Sequence, residues 1–401
     1  MNTRTQIIID KGIVKPIAYF LNFLTRFIGF ILKIDHKLNK EFHTIAICKF
    51  KGMGSIIQST PMIQAIRNKY PNSKIIFISS VSNKNILEKI TLINKVILIN
   101  DKSFTKLISS TIISLFQLIK TRPQIYFDLE IYSDFSTLFT LLSLSVNRVG
   151  FYLRSSSYRM GIYTHMMFFN PRVPISEVYL QLARLIHCKT DNCNLYKFDV
   201  PKKDYSNNTK PYIVINPNAS DLRLERRWGK ENFIELVKRI IIHYPNFDIF
   251  LIGSQNEKNY CNEIESEINN DSLKNYAGKT SIDELFSLIS NSELIISNDT
   301  GPMHIAFSQQ TPIVCLFGPC SPEQYGMNNN AIVVYKNIYC SPCVHDFEIA
   351  PCKGNNVCMK LITLTEVLES IEECFKKNPA KFTGPKFKYN DNETIFGTIT
   401  R

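Results

Sequence analysis

Leu294-Ile-Ile-Ser-Asn-Asp-Thr-Gly-Pro-Met-His304 is the stretch that decides the fold. An apolar run stops at Ser297, a polar turn follows, and Pro302 opens a helix reaching Gln309, since proline is tolerated in a first helical turn. The apolar run at 312–317 that comes next reads as a second buried strand. Strand, helix and strand in this order make a parallel unit, because parallel strands need a crossover between them.

The same alternation extends in both directions. Upstream, residues 212–216 read as a strand, 230–244 as a helix, and 248–252 as a strand ending in Gly253-Ser254. Ser281-Ile-Asp-Glu284 is a capping box that opens a helix to Ser290. Downstream, Thr363-Leu-Thr-Glu366 caps a last amphipathic helix reaching about Lys377. The N-terminal half repeats the scheme. Strands are expected at 44–50, 74–80, 95–99 and 124–129, with helices at 104–120 and from Thr60-Pro61 to about Tyr70. The polar stretch 201–210 has linker composition. The expected organisation is an N-terminal α/β domain at 41–200, a linker at 201–210, a C-terminal α/β domain at 211–377 and a polar tail at 378–401. Open parallel sheets bind ligands at the carboxyl ends of their strands, so a site is expected in the cleft between the two domains.

Composition supports this. The chain has 401 residues, 44% hydrophobic and 20% charged, which suits two globular domains. A net charge of +12 favours anionic partners. No helix-turn-helix, zinc-finger or aromatic RNA-binding pattern accompanies it. Phosphate-rich small molecules or lipids are therefore expected rather than nucleic acid. Eleven cysteines, an odd number, and the lack of a signal-peptide cleavage pattern point to a reducing, cytoplasmic setting.

Residues 1–40 carry seven Lys or Arg against two Asp. Tyr19, Asn22, Thr25, Arg26, Gly29 and Lys33 recur on one helix face, and Phe and Leu fill the rest. Arg26 interrupts the apolar run before the ~20 residues of a spanning helix. A basic amphipathic helix lying in the inner face of the cytoplasmic membrane is expected; the competing reading is a helix packed on the protein's own body.

Three loops after strands carry chemistry. Around Asp299, Thr300, Gly301 and His304, backbone N–H groups at a helix start can cradle phosphate, although Asp299 or Thr300 can equally be a plain N-cap. Asn216-Pro-Asn-Ala-Ser220 precedes Arg223, Arg226 and Arg227, a natural diphosphate clamp or a solvated basic loop. Trp228, the only tryptophan, reads as a packing anchor. Lys51-Gly-Met-Gly-Ser55 holds Gly52 and Gly54, which let a substrate approach the backbone. Separately, Cys340, Cys343, Cys352 and Cys358 form a Cys-rich loop at 340–358. A structural zinc site, free thiols and disulfides all fit this spacing, in that order of preference. No cofactor is expected for catalysis.

Together, residues 49–61, Asn216-Pro-Asn-Ala-Ser220 with Arg226-Arg-Trp228, Leu251-Ile-Gly-Ser254, Ala277-Gly-Lys-Thr280, Asn298-Asp-Thr-Gly-Pro-Met-His304 and Leu316-Phe-Gly-Pro319 resemble the family-9 glycosyltransferases, which include ADP-heptose:lipopolysaccharide heptosyltransferases. The resemblance implies a GT-B fold of two Rossmann-like domains and inverting, metal-independent transfer of a sugar from a nucleotide-sugar to a lipid-linked glycan. It places the donor at Ser220, Arg226, Asp299, Thr300, Gly301 and His304, with Gln255 near the nucleoside where the family often has an acidic residue. The family's N-terminal loop carries an Asp, taken as the general base, at the position of Ser55. Serine at its ordinary pKa cannot accept a proton as a carboxylate does. Either the chain is a non-catalytic binder of nucleotide-sugar or glycolipid, or another base serves. Glu130 is the favoured replacement; Asp128 and Asp134 follow the same strand.

Overall fold

The computed structural model describes residues 5, 8–191, 193–200, 210–219, 223–344, 347, 350–376 and 386–388. Two compact units divide the chain, Met1–Tyr196 and Lys197–Arg401.

The first unit is built on a six-stranded sheet in the order β3-β2-β1-β4-β5-β6, with every pairing parallel. The strands are β1 (Thr44–Cys48), β2 (Lys74–Ser80), β3 (Lys95–Ile99), β4 (Ile125–Asp128), β5 (Asn147–Tyr152) and β6 (His165–Phe168). β1 and β4 are almost wholly buried, as expected of central strands covered on both faces. The helices are α1 (Lys15–Leu32), α2 (Met53–Lys69), α3 (Phe104–Thr121), α4 (Asp134–Leu142) and α5 (Ile175–Leu185). The chain steps from β1 through α2 to β2 in one direction and from β3 through α3 back to β4 in the other. Right-handed crossovers then put α2 and α3 on opposite faces. α2 packs on α5. On the other face Leu118 of α3 and Phe139 of α4 close over Ala46, Cys48, Ile76, Ile78 and Tyr126.

α2 begins earlier than the sequence suggests. Gly52, at φ +90°, is its N-cap, so Gly54 and Ser55 lie in the first turn and Pro61 lies inside the helix. Pro61 cannot donate to the Ile57 carbonyl, and the Thr60 hydroxyl donates to that oxygen instead, at 2.6 Å.

α1 follows a π-helical turn, Asp10–Val14, and packs on α4 and on the 3-10 turn Arg154–Arg159. Its polar side faces inward. The Asp10 carboxylate accepts the Asp134 and Phe135 N–H groups at 3.0 and 2.5 Å, capping α4 from across the sequence. Asn22 donates to the Tyr158 carbonyl, and Arg26 donates twice to Met160 O, at 3.1 and 2.6 Å. Gly161, at φ +107°, makes room for both, because an added Cβ would run into them. Phe20, Phe23, Phe27, Phe30 and Ile31 remain exposed. By length and composition alone, the 23 residues Asp10–Leu32 are long and apolar enough to cross a membrane, the one such helix among the described residues.

The second unit has a seven-stranded parallel sheet in the order β13-β12-β11-β10-β7-β8-β9. Its strands are β7 (Tyr212–Asn216), β8 (Asp248–Leu251), β9 (Leu273–Asn275), β10 (Leu294–Asn298), β11 (Ile313–Phe317), β12 (Ala331–Tyr335) and β13 (Lys386–Lys388). Helices α6 (Lys230–His243), α7 (Lys258–Ile268), α8 (Ile282–Ser290), α9 (Gly301–Gln309) and α10 (Leu364–Lys376) complete it. Trp228 is an anchor in this core: it is buried among Phe233 and Ile362 neighbours and donates its indole N–H to Ile362 O at 2.9 Å.

Candidate functional site

In each unit the strand order reverses at one point, and loops diverge there to leave room for a ligand. In the second unit that point lies between β10 and β7. It brings together the turns after Asn216 and after Asn298. Asn216 Nδ2 donates to Ser297 Oγ at 3.0 Å and to Thr300 Oγ1 at 2.6 Å. Asn298 Nδ2 donates to Asn218 O at 3.0 Å. These amides lock the two loops to each other.

Thr300 is the N-cap residue of α9, but its side chain makes no capping bond. Its hydroxyl is tied to Asn216 instead and leaves the Gly301 N–H at the start of α9 uncovered; Pro302 has no N–H, and the Met303 N–H donates to Thr300 O at 3.2 Å. Of the three arginines in the preceding loop, only Arg226 reaches this turn. Its Nη1 donates to Asp299 O at 3.3 Å and lies 3.4 Å from Asp299 Oδ2. Arg223 instead holds the Val344 and Phe347 carbonyls, and Arg227 stacks over Tyr260 at 4.2 Å. Arg226 Nε is buried and has no hydrogen-bond partner among the described residues, and Asp299 Oδ2 has only the 3.4 Å approach of Arg226 and the neighbouring Cys320 thiol. Such groups mark a site awaiting polar atoms. Ser220, expected in the same cluster, lies outside the described residues.

His304 is buried in α9, its ring edge-on to Phe307. Burial pushes its pKa down to about 4; Asp299 opposes this and Arg226 adds to it. The imidazole is therefore neutral near pH 7, and its depressed pKa stabilises the fold fully above pH 6.5. That stabilisation is lost as pH falls toward about 4, a change of about 3 kcal/mol at about 1.4 kcal/mol per unit. Urea denaturation across this range should show the slope in the wild type and its loss in His304→Gln.

Sequence reasoning missed Cys320, just past Leu316-Phe-Gly-Pro319. Its thiol is buried beside Asp299 and Arg226, and burial raises its pKa, with Asp299 adding to the effect. Gln255 sits exposed in a capped 3-10 turn, its side chain over Gly278. Gly278 has φ +71°, and an added Cβ would stand 2.5 Å from Gln255 Oε1. Gly278→Ala is accordingly expected to displace Gln255 and weaken nucleoside binding severalfold while leaving Arg226 in place, measurable by ADP titration.

In the first unit the reversal lies between β1 and β4. Lys49, just past β1, and Glu130, just past β4, form a buried ion pair at 2.7 Å. Glu130 Oε1 also accepts the Phe50 and Lys51 N–H groups at 2.8 and 3.1 Å. Burial raises the Glu130 pKa, but Lys49 and these bonds outweigh it, so the carboxylate is held below its usual range. Both oxygens of the expected proton acceptor are thus engaged in shaping the loop before Gly52. Asp128 is fully buried and accepts from Tyr163 at 2.6 Å, Thr140 at 3.2 Å and the Glu130 N–H at 2.9 Å. Burial raises its pKa. Ser55 is half-buried, close to the buried Tyr179 phenol. Asp134 is the first residue of α4 and takes the Tyr158 hydroxyl. Sequence reasoning also missed Lys49 and Arg159. The latter is wholly buried and donates to the Ile131 and Ser133 carbonyls at 2.9 and 2.8 Å.

Cys340, Cys343, Cys352 and Cys358 are free thiols. Among the described residues no three His, Cys, Asp or Glu side chains converge to hold a metal.

Comparison with known proteins places this architecture. Residues 187–353 match the model of glycosyltransferase family 9 (heptosyltransferase). Lipooligosaccharide heptosyltransferase 2 of Campylobacter jejuni is 30% identical over 176 residues, 43% of this chain and 53% of that protein. The chain thus spans about half the length of the curated relatives it first matches. Lipopolysaccharide core heptosyltransferase OpsX of Haemophilus influenzae is 24% identical over 311 residues, 73% of this chain and 85% of that protein. The solved ADP-heptose lps heptosyltransferase II of E. coli superposes with a TM-score of 0.65 at 21% identity, covering 83% of this chain and 98% of that one. Residues 187–353 are thus similar in sequence to glycosyltransferase family 9 (heptosyltransferase), and over most of its length the chain shares the fold of a solved heptosyltransferase.

Proposed function

We propose that the protein transfers heptose from ADP-heptose to a hydroxyl of a lipid-linked glycan such as lipopolysaccharide core, with inversion and without a catalytic metal. One observation carries this reading: the Arg226–Asp299 pair, with the Arg226 Nε left unpartnered, beside the start of α9. The acceptor hydroxyl attacks the anomeric carbon as the bond to the diphosphate breaks, its proton passing to solvent water, so negative charge builds on the departing phosphate. Arg226 and the Gly301 N–H at the positive end of α9 supply positive charge where it develops. His304, being neutral, offers a hydrogen bond without adding charge.

In the first unit, Glu130 acts through position. With Lys49 it fixes residues 49–52, and Gly52 at φ +90° lets the acceptor approach the backbone. A carboxylate held below its ordinary pKa is a weak proton acceptor, which favours this role over general base. The exposed apolar side of α1 suits a cytoplasmic enzyme lying on the inner membrane surface, where a lipid-linked acceptor is anchored.

The test is release of ADP from ADP-heptose, with and without a heptose-deficient lipopolysaccharide acceptor. Acceptor-dependent release supports the reading. Binding of ADP without turnover of any nucleotide-sugar would favour the non-catalytic binder that Ser55 raises.

A further inference from the structure

We propose that α3 is a second membrane contact, which acts with α1 to seat the first unit on an anionic lipid bilayer. Along α3, Phe104, Ile108, Ile112 and Phe116 recur every four residues and are all exposed, with Ile113 and Ile119 beside them. Its other side, through Leu107, Leu115 and Leu118, packs on the sheet. A water-facing helix has no use for six large apolar residues on its outer side, and patches of this kind mark lipid or protein contacts.

Three observations commit the surface to a bilayer. First, α3 and α4 cover the same sheet face and α1 packs on α4, so both apolar helix surfaces belong to one side of the unit. Second, α3 and the turn that leads into α1 adjoin a common cavity of about 270 Å³, walled by Ile9 and Val14 from that turn, Leu107 from α3, and Phe50, Ile99 and Phe135 beneath. Third, the flanking charge is positive. Lys102, Lys106, Lys120 and Arg122 border α3 against Asp101, while residues 1–40 carry seven cations against two acids. Cations beside an apolar face attract anionic headgroups. Asp10, one of those acids, is turned inward onto α4.

The cavity also touches Lys51 and Glu130 at the acceptor loop, so this contact would present a lipid-linked acceptor there; that consequence alone rests on the transferase reading.

The test is flotation of the full chain with phosphatidylglycerol-containing vesicles and with phosphatidylcholine vesicles. Ile112→Gln with Phe116→Gln is compared with Phe23→Gln with Phe27→Gln, folding being checked by circular dichroism and thermal unfolding. Each pair should lower partition onto anionic vesicles about tenfold or more, given the apolar area withdrawn. Wild-type binding should exceed that to neutral vesicles and weaken with salt. The proposal is overturned if the α3 pair leaves partition unchanged, if the wild type ignores anionic vesicles, or if the α3 pair only splits a dimer in sedimentation. Loss of partition in a protein that turns over no donor would keep the membrane contact and sink the transferase reading instead.

Discussion

Arg226→Ala is expected to lower kcat/KM for the nucleotide-sugar by about 100- to 1,000-fold, the usual effect of removing one donor aimed at developing charge. Arg226 is the only one of the three loop arginines that reaches the Asp299 turn. The change also leaves Asp299, with a side chain 6% exposed, without its partner, a loss of about 3–5 kcal/mol for a buried pair. Arg226→Lys separates the two effects. It keeps a charge near Asp299 but not the planar fork, so thermal stability should largely return while KM stays raised. Equal kcat/KM in all three proteins would remove Arg226 from the chemistry.

Glu130→Ala is expected to have the second large effect. It strands the Lys49 ammonium and removes the acceptor of two backbone N–H groups, so loss of about 3–5 kcal/mol and collapse of turnover follow. Glu130→Gln is the informative variant: it also loses the Lys49 ion pair, but its amide oxygen still accepts from Phe50 and Lys51. If the residue positions the loop, Glu130→Gln should keep kcat within about tenfold of wild type and raise the acceptor KM. If it takes the proton, Glu130→Gln should fall as far as Glu130→Ala in kcat. The depressed pKa gives an independent readout. A lowered carboxylate pKa contributes stability that is present above the ordinary value of 4.5 and lost as pH falls through the folded value. Wild type should therefore lose stability below pH 4.5 more steeply than Glu130→Gln.

The parts of this molecule legible in its sequence are those where one local signal suffices. The run from Leu294 to His304 announces strand, turn and helix because apolar periodicity and Pro302 agree. The capping box at Ser281 and Glu284 forms as its spacing implies. β5, with Asn147 and Arg148 at its start, and α7, with its many Glu and Asn residues, were not read, because neither carries a clean apolar period. α2 was placed too late since Gly52 and Gly54 look like loop residues, whereas the helix starts on a positive-φ cap.

The site divides in the same way. Arg226 and the Asp299 turn were legible as a basic loop and a helix start. What Glu130 does was not, because its partners lie about 80 residues away across adjacent strands. A charge just past the end of each of two buried strands, Lys49 and Glu130, was nonetheless a usable hint of an ion pair. Asp10 capping α4 had no sequence signal at all.

The most direct test of the central claim is ADP release by the full chain given ADP-heptose and a heptose-deficient lipid-linked acceptor, with EDTA present. The account predicts acceptor-dependent release that survives EDTA and a product of inverted anomeric configuration. ADP binding without turnover of ADP-heptose or any other nucleotide-sugar would contradict it and leave a GT-B binding protein.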